Sequence, residues 1–389
     1  MILPVESAAS LVPDDFVARL ARRADEAERL RRLPDDTVAE VRAGELLGLL
    51  APKRFGGRQA SFPEVLEPVQ RMALGCASSA WTIGFFVLHN WLLSLFDEQA
   101  QVEVFASGPV LAPAPLAPTG FGEKVSGGIK LSGKWSWATG IMHADWVMVC
   151  ALCGSGDDMF PGLVLVPADQ VSVDDVWHTL GMRATGSNDV TITDVFVPEH
   201  RIVPLSDIYN GTSAGAALHD AALYRWPVVP ALALTAAMPI LGSAQLVVNA
   251  FAERLETRVL AYSGVKQKEQ PATQIRLADA RIRLQALQGL VTDIAGTIES
   301  IVADGGIVQR KLRARARATA AHVVNESLCV INNLMAASGA SANFLANPLQ
   351  RARRDAEMGA GHVIFDQDVA RELYGALEIG MKISPIAMV

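Results

Sequence analysis

Charge and cysteine are scarce in this chain of 389 residues, and each scarcity removes a class of protein. Only 19% of residues are charged against 50% hydrophobic, so a disordered or solvating chain is excluded and a large core is affordable. Four cysteines are too few for a disulfide framework. Cys150 and Cys153 form C-x-x-C inside WVMVCALCG, which reads as a strand. Residues three apart on a strand point to opposite faces, which argues against a redox or metal pair. No run of about 18 uninterrupted apolar residues occurs, so no membrane span is expected. The opening MILPVESAASLVPDDF lacks the basic start and apolar stretch of a secretory leader, and a cytoplasmic location is expected. Net charge is −7, and no long basic run is present. Arg310, Lys311, Arg313, Arg315 and Arg317 alternate with alanine and leucine, spread around a helix, and read as a solvated or intersubunit surface. No nucleic-acid role is inferred. H-E-x-x-H is absent and the seven histidines are scattered, so no metal site is expected.

Two motifs fail on context. GIKLSGK, from Gly128 to Lys134, fits a phosphate-loop pattern, but Trp135 stands where Ser or Thr is needed and the stretch reads as a strand. GTSAG around Ser213 has no buried strand running into it, as a nucleophile elbow requires.

The pattern that is present falls into three parts. Residues 1–110 read as helical: Asp14 and Asp15 form a capping start, and Val17, Leu20, Ala24, Ala27 and Leu30 follow at helical spacing. SSAWTIGFFVLHNWLLSLF, from 78 to 96, is apolar nearly all round, as a buried helix is. Residues 111–217 read as a β domain of short runs punctuated by Pro and Gly, with a phase shift at Asp194 that predicts a bulge. Residues 218–389 read as long helices over about 228–262, 272–303, 311–337 and 366–381, an antiparallel bundle. The fold class is α+β, mainly α. No βαβ alternation appears, and hence no Rossmann domain and no nicotinamide site.

GKWSWATGIMHADW, from 133 to 146, crowds three tryptophans beside a threonine. Residues 137 and 139, two apart on a strand, share a face, so Trp137 and Thr139 can address one flat ligand. Trp135 is assigned to the opposite side, in the core. LSGKWSWATG, together with WHTLGMRATGSNDVTITDVFVPEHR from 177 to 201, resembles the acyl-CoA dehydrogenase superfamily, and LADARIRL at 277–284 is similar to the first long C-terminal helix of that family. The resemblance covers almost the whole chain. It implies an N-terminal helical domain, a middle β-barrel or sandwich domain and a C-terminal four-helix bundle. It also implies a homotetramer with flavin between the β domain and the helices. On that resemblance Trp137 lies against the isoalloxazine and Thr139 offers its hydroxyl near N5. Arg258 is similar to a phosphate-binding arginine, and Thr185 and Ser187 are candidate flavin contacts.

The superfamily has two relevant branches. Dehydrogenases need a carboxylate base, often in Tyr-Glu-Gly-Thr near the C-terminus, whereas this chain reads RRDAEMGAGHVIFDQD there. The reduced-flavin monooxygenases resemble it further, in a histidine of the buried N-terminal helix, matched by His89, and a histidine after an Arg-Asp segment, matched by His362. This branch implies the oxygenase component of a two-component system, fed with reduced FMN or FAD by a separate NAD(P)H:flavin reductase. It oxygenates a small aromatic substrate with O₂ through a C4a-hydroperoxyflavin. Trp81, Phe86 and Trp91 are expected to line an apolar pocket that keeps water out. A dehydrogenase with bound FAD, which would be bleached by an acyl-CoA, and a non-catalytic assembly protein are the alternatives.

Overall fold

The structure is a computed structural model, and it describes residues 11–260, 264–384 and 387–389. Helices come first: α1 (Asp14–Leu30), α2 (Asp35–Ala43), α3 (Leu66–Met72), α4 (Ala77–Leu93) and α5 (Glu98–Val104). Pro13, not an aspartate, holds the N-cap of α1, while Asp14 and Asp15 occupy the first turn, where their charge meets the positive end of the helix dipole. Phe16, Leu20, Ala24 and Ala27 form its buried stripe, so Phe16 takes the core place expected of Val17. Helix α4 is buried at every residue but Phe85, which accounts for its lack of a polar face.

Seven strands follow: β1 (Gly120–Val125), β2 (Gly128–Ala138), β3 (Trp146–Gly154), β4 (Phe160–Pro167), β5 (Ser172–Asp174), β6 (Asn188–Pro198) and β7 (Ile202–Pro204). They make one sheet in the order β5-β6-β2-β1-β3-β4-β7, with β1 and β3 parallel and the other pairs antiparallel. One face gathers its own small core around Leu131, Trp135, Val149 and Val190. The other contributes Met148, Cys150, Leu163 and Leu165 to the main core. The pairing of β2 with β6 slips twice. At the first slip Asp194 takes a left-handed φ of 52° and donates its N–H to Ser132 Oγ at 2.8 Å, which is the predicted bulge. The second lies between Trp135 and Ala138 and is used by the site.

The C-terminal part holds α8 (Val228–Leu255), α9 (Pro271–Ala303), α10 (Arg310–Ser338), α11 (Pro348–Ala360) and α12 (Gln367–Glu378), after two short helices, α6 (Leu205–Asn210) and α7 (Ala214–Ala217). Among the described residues α8 is long and apolar enough to cross a membrane, but 83% of its most apolar window is buried inside the protein, as a central core helix is. Helix α11 is unforeseen in the sequence reading, although Asn347 caps it and Pro348 starts it. The basic ladder of α10 also departs from expectation. Arg317 is buried, and Arg313 turns inward to the carbonyls of Val308 and Tyr209. Only part of the ladder faces solvent, because its spacing carries some of its members around to the core side.

Asp355 of α11 joins all three parts of the chain. Its Oδ1 accepts the Met182 N–H at 2.6 Å from the loop before β6, and its Oδ2 accepts the Ser78 hydroxyl at 3.1 Å from α4. Gly181 allows the approach, since a Cβ there would lie 2.0 Å from the Arg354 carbonyl oxygen. Alanine at 355 would leave two buried donors unpaired, costing on the order of 2–5 kcal/mol. Burial is the main influence on the carboxyl, and it raises the pKa from 3.8 to about 6 against the opposing hydrogen bonds. Folding therefore favours the protonated form: the contribution is full below the unfolded pKa and is lost as pH rises through the folded one. Relative to Asp355→Asn, the wild type should lose up to about 3 kcal/mol of stability between about pH 4 and pH 7 in urea titrations. A constant difference across that range would show that the carboxyl is not held in a desolvated place.

Candidate active site

On α4, Trp81, Phe85 and His89 recur every fourth residue and so share one side of the helix. Their rings form a file that reaches α11's end: His362 lies 5.9 Å from Trp81, Trp81 lies 5.2 Å from Phe85, and Phe85 lies 5.4 Å from His89, centroid to centroid. Phe365 closes the far side at 6.2 Å from His362. The two histidines singled out from sequence thus meet the same aromatic file. Phe85 was missed, although it stands midway between Trp81 and His89 at helical spacing.

The other two aromatics proposed for the pocket are not members of this file. Trp91 is rotated by about 200° from His89 around the helix. It is fully buried and donates Nε1–H to the Leu223 carbonyl at 3.0 Å. Phe86 is buried where α4 meets the end of β2. There a Cβ on Gly140 would lie 2.3 Å from its ring, so only glycine allows the contact, and Gly140 has a left-handed φ of 78°.

Each histidine has a defined hydrogen-bond polarity. His89 is buried, and its Nδ1 lies 2.6 Å from the Ala112 carbonyl oxygen, which can only accept. The proton therefore sits on Nδ1 and leaves Nε2 as an acceptor. Burial lowers its pKa from 6.5 to about 4, against that hydrogen bond. His362 is the reverse: Nδ1 accepts the Ile364 N–H at 3.2 Å, so in the neutral ring Nε2 carries the proton. Its ring is exposed at the mouth of the file and crowded by protein on its other sides. Desolvation, and then the Arg317 charge, lower its pKa, and water at the mouth softens that shift.

A chain of hydroxyls stands at the end of β2, where Gly140 meets Phe86 and Thr82 of α4 and donates its N–H to the Thr185 carbonyl at 2.8 Å. Thr139 Oγ1 lies 2.9 Å from Ser187 Oγ, which lies 2.7 Å from Thr185 Oγ1, and Thr185 donates to the Met182 carbonyl at 2.9 Å. Each hydroxyl has one proton. With Thr185 committed to Met182, the chain runs Thr139 to Ser187 to Thr185, and the Thr139 oxygen is left as an acceptor at the open end. Trp137 stands two residues before Thr139, but not by strand alternation, which would place 135, 137 and 139 on one face. The bulge supplies the difference: Trp137 has a φ of 69° and is 65% exposed, whereas Trp135 is buried and donates to the Cys150 carbonyl at 2.6 Å. Thr139 itself lies just past the end of β2.

Arg258 donates to the Ser338 carbonyl at the end of α10, and no described contact brings it to Trp137 or Thr139. Arg183, unremarked in the sequence, sits in the turn before Thr185 with its Nε buried and without a hydrogen-bond partner among the described residues.

Comparison with known proteins gives a consistent picture. Residues 234–367 match the family described as acyl-CoA dehydrogenase, C-terminal domain. The chain is 33% identical over 374 residues to the flavin-dependent monooxygenase oxygenase subunit HsaA of Rhodococcus jostii, covering 95% of this chain and 98% of that one. It is 29% identical over 388 residues to the oxygenase component of the FADH₂-dependent resorcinol hydroxylase of a Rhizobium species, covering 95% and 92%. Among solved structures, XiaF from Streptomyces in complex with FADH₂ and glycerol superposes with a TM-score of 0.91 at 30% identity, covering 98% and 97%.

The ring assignment has a direct check. Long-range proton–nitrogen spectra of histidine-labelled protein should show His89 as the Nδ1–H tautomer, without titration between about pH 5 and about pH 8. A midpoint near the ordinary imidazole value would mean that the ring is not held against Ala112.

Proposed function

The chain belongs to the oxygenase subunits of the flavin-dependent monooxygenases, and from that membership we propose its substrate class, its cofactor and the division of labour among its site residues. The substrate is a small phenol, held along the Trp81–Phe85 file between His89 and His362. The observation that carries this reading is the opposite polarity of the two rings. A hydroxyl can donate to His89 Nε2, and an oxygen or the π face of a ring can accept from His362 Nε2–H. A neutral His89 with a free lone pair can accept a hydrogen bond from a phenol hydroxyl and so raise the electron density of its ring. The apolar walls exclude water, which would otherwise divert the reaction to peroxide.

The cofactor is reduced FAD, supplied by a separate NAD(P)H:flavin reductase. The named cofactor of the resorcinol hydroxylase and the ligand of XiaF support FAD over FMN. The residues present fit a flavin. Trp137 offers an exposed indole face, and the open acceptor of Thr139 suits the N–H that only reduced flavin carries at N5. The unpartnered Arg183 Nε needs an acceptor, which the polar edge or phosphates of the cofactor would provide. When bound, reduced flavin supplies two electrons that split O₂ into the atom transferred to the ring and the atom lost as water. Thr185 and Ser187 fix the direction of the Thr139 hydroxyl. Arg258 donates one N–H to the Ser338 carbonyl and is retained as the candidate contact for the cofactor phosphates.

Assembly as a homotetramer is supported by apolar side chains left exposed on and beside the bundle, among them Ile275 and Ile282 of α9, and Phe344 and Leu345.

The test uses a panel of phenols with reduced FAD and oxygen. His362→Ala should lower product formed per flavin oxidised by about 100-fold and raise peroxide to match, with reduced-flavin affinity unchanged. An unaltered product yield would remove His362 from the site.

A further inference from the structure

We propose that Arg317 of α10 is a positioning residue that holds His362 in its working orientation by clamping the turn that follows it. The inference rests on the reading of His362 given above. Arg317 is only 2% exposed, yet no carboxylate pairs with it among the described residues. Each of its three nitrogens donates to a backbone carbonyl: Nε to Ile364 at 3.0 Å, Nη2 to Val363 at 3.1 Å and Nη1 to Met388 at 2.9 Å. Burying a guanidinium with no carboxylate in contact, and only the longer-range attraction of Asp366, is unfavourable, and packing alone does not require it at this place, where alanines supply much of the rest of the buried face.

The two clamped carbonyls belong to the short 3₁₀ turn Val363–Phe365, whose N-cap is His362. Ile364 is gripped twice. Its carbonyl accepts from Arg317, and its N–H donates to His362 Nδ1 at 3.2 Å. The second bond sets the tautomer of the ring, and the Arg317 Nη2 bond to the Val363 carbonyl fixes the very peptide that carries this N–H. One turn further along α10, the Ala321 carbonyl accepts from the Gln367 side chain, so the same face of α10 anchors both ends of this connection. Lysine cannot reproduce the arrangement, because an ammonium has no planar fork to span three carbonyls. The third contact, to Met388, brings the C-terminal segment onto the same guanidinium. The mobility of His362 is thereby tied to residues far from it in sequence.

The experiment compares Arg317→Met, Arg317→Lys, His362→Ala and the double variant His362→Ala/Arg317→Met, with reduced FAD, oxygen and an accepted phenol. Arg317→Met should lower product per flavin oxidised by about 10- to 100-fold while reduced-flavin affinity stays unchanged. Arg317→Lys should behave like Arg317→Met, although it keeps the charge. In the His362→Ala background the Arg317 substitution should have no further effect on yield, and the nitrogen spectrum of the single variant Arg317→Met should show the His362 tautomer released. Multiplying effects in the double variant, or wild-type yield in Arg317→Lys, would overturn the clamp. An inactive His362→Ala with a fully productive Arg317→Met would overturn it as well. A His362→Ala enzyme of normal yield would overturn the reading of the site, and the proposal with it.

Discussion

The carboxylate of Asp355 is the contact on which the site depends. It is 4% exposed and takes its two hydrogen bonds from different parts of the chain, the Met182 N–H of the loop before β6 and the Ser78 hydroxyl of α4. Those two bonds set three elements against one another. Met182 is the acceptor that orders the Thr185–Ser187–Thr139 hydroxyls. Ser78 lies at the start of the helix that carries Trp81, Phe85 and His89. Asp355 itself lies on the helix that delivers His362 just past its end. Arg354, beside it, adds a bond to Glu28 of α1 at 2.6 Å, so the N-terminal helix is drawn to the same joint.

Around that joint the chain builds a site of neutral groups with fixed polarity. His89 is desolvated and bonded through Nδ1, and His362 is bonded through Nδ1 in the opposite sense. The Thr139 oxygen ends a one-way chain of hydroxyls. Burial strengthens the His89 contact, because little water competes for it. Such a site needs no charged catalytic side chain at its centre. The buried cation nearby, Arg317, is spent on backbone carbonyls. The electrons are left to the cofactor and the oxidising power to oxygen, and the protein supplies placement and direction.

Much of this was legible before the structure. The three-part order, the buried helix around His89, the bulge at Asp194 and the family resemblance all follow from periodicity and short motifs. What was not legible has a physical reason in each case. Strand alternation could not separate Trp135 from Trp137, because the bulge that turns Trp137 outward depends on pairing with β6. An apolar helix has no polar face to orient it, so Trp91 and Phe86 could not be told from Phe85 without knowing what packs on each side. Asp355 and Arg317 looked like ordinary charges in charged stretches. Their burial comes from contacts with residues 173 and 47 positions away in sequence, which no local pattern reveals.

The central claim is that this protein captures reduced flavin through an ordered acceptor and then uses it with oxygen. Parallel anaerobic titrations with reduced and with oxidised FAD test it most directly. Since one hydrogen bond to N5 exists only with the reduced form, reduced FAD should bind at least about tenfold more tightly. Equal affinities, or tighter binding of oxidised FAD, would contradict the account and return the chain to the dehydrogenase side of its superfamily.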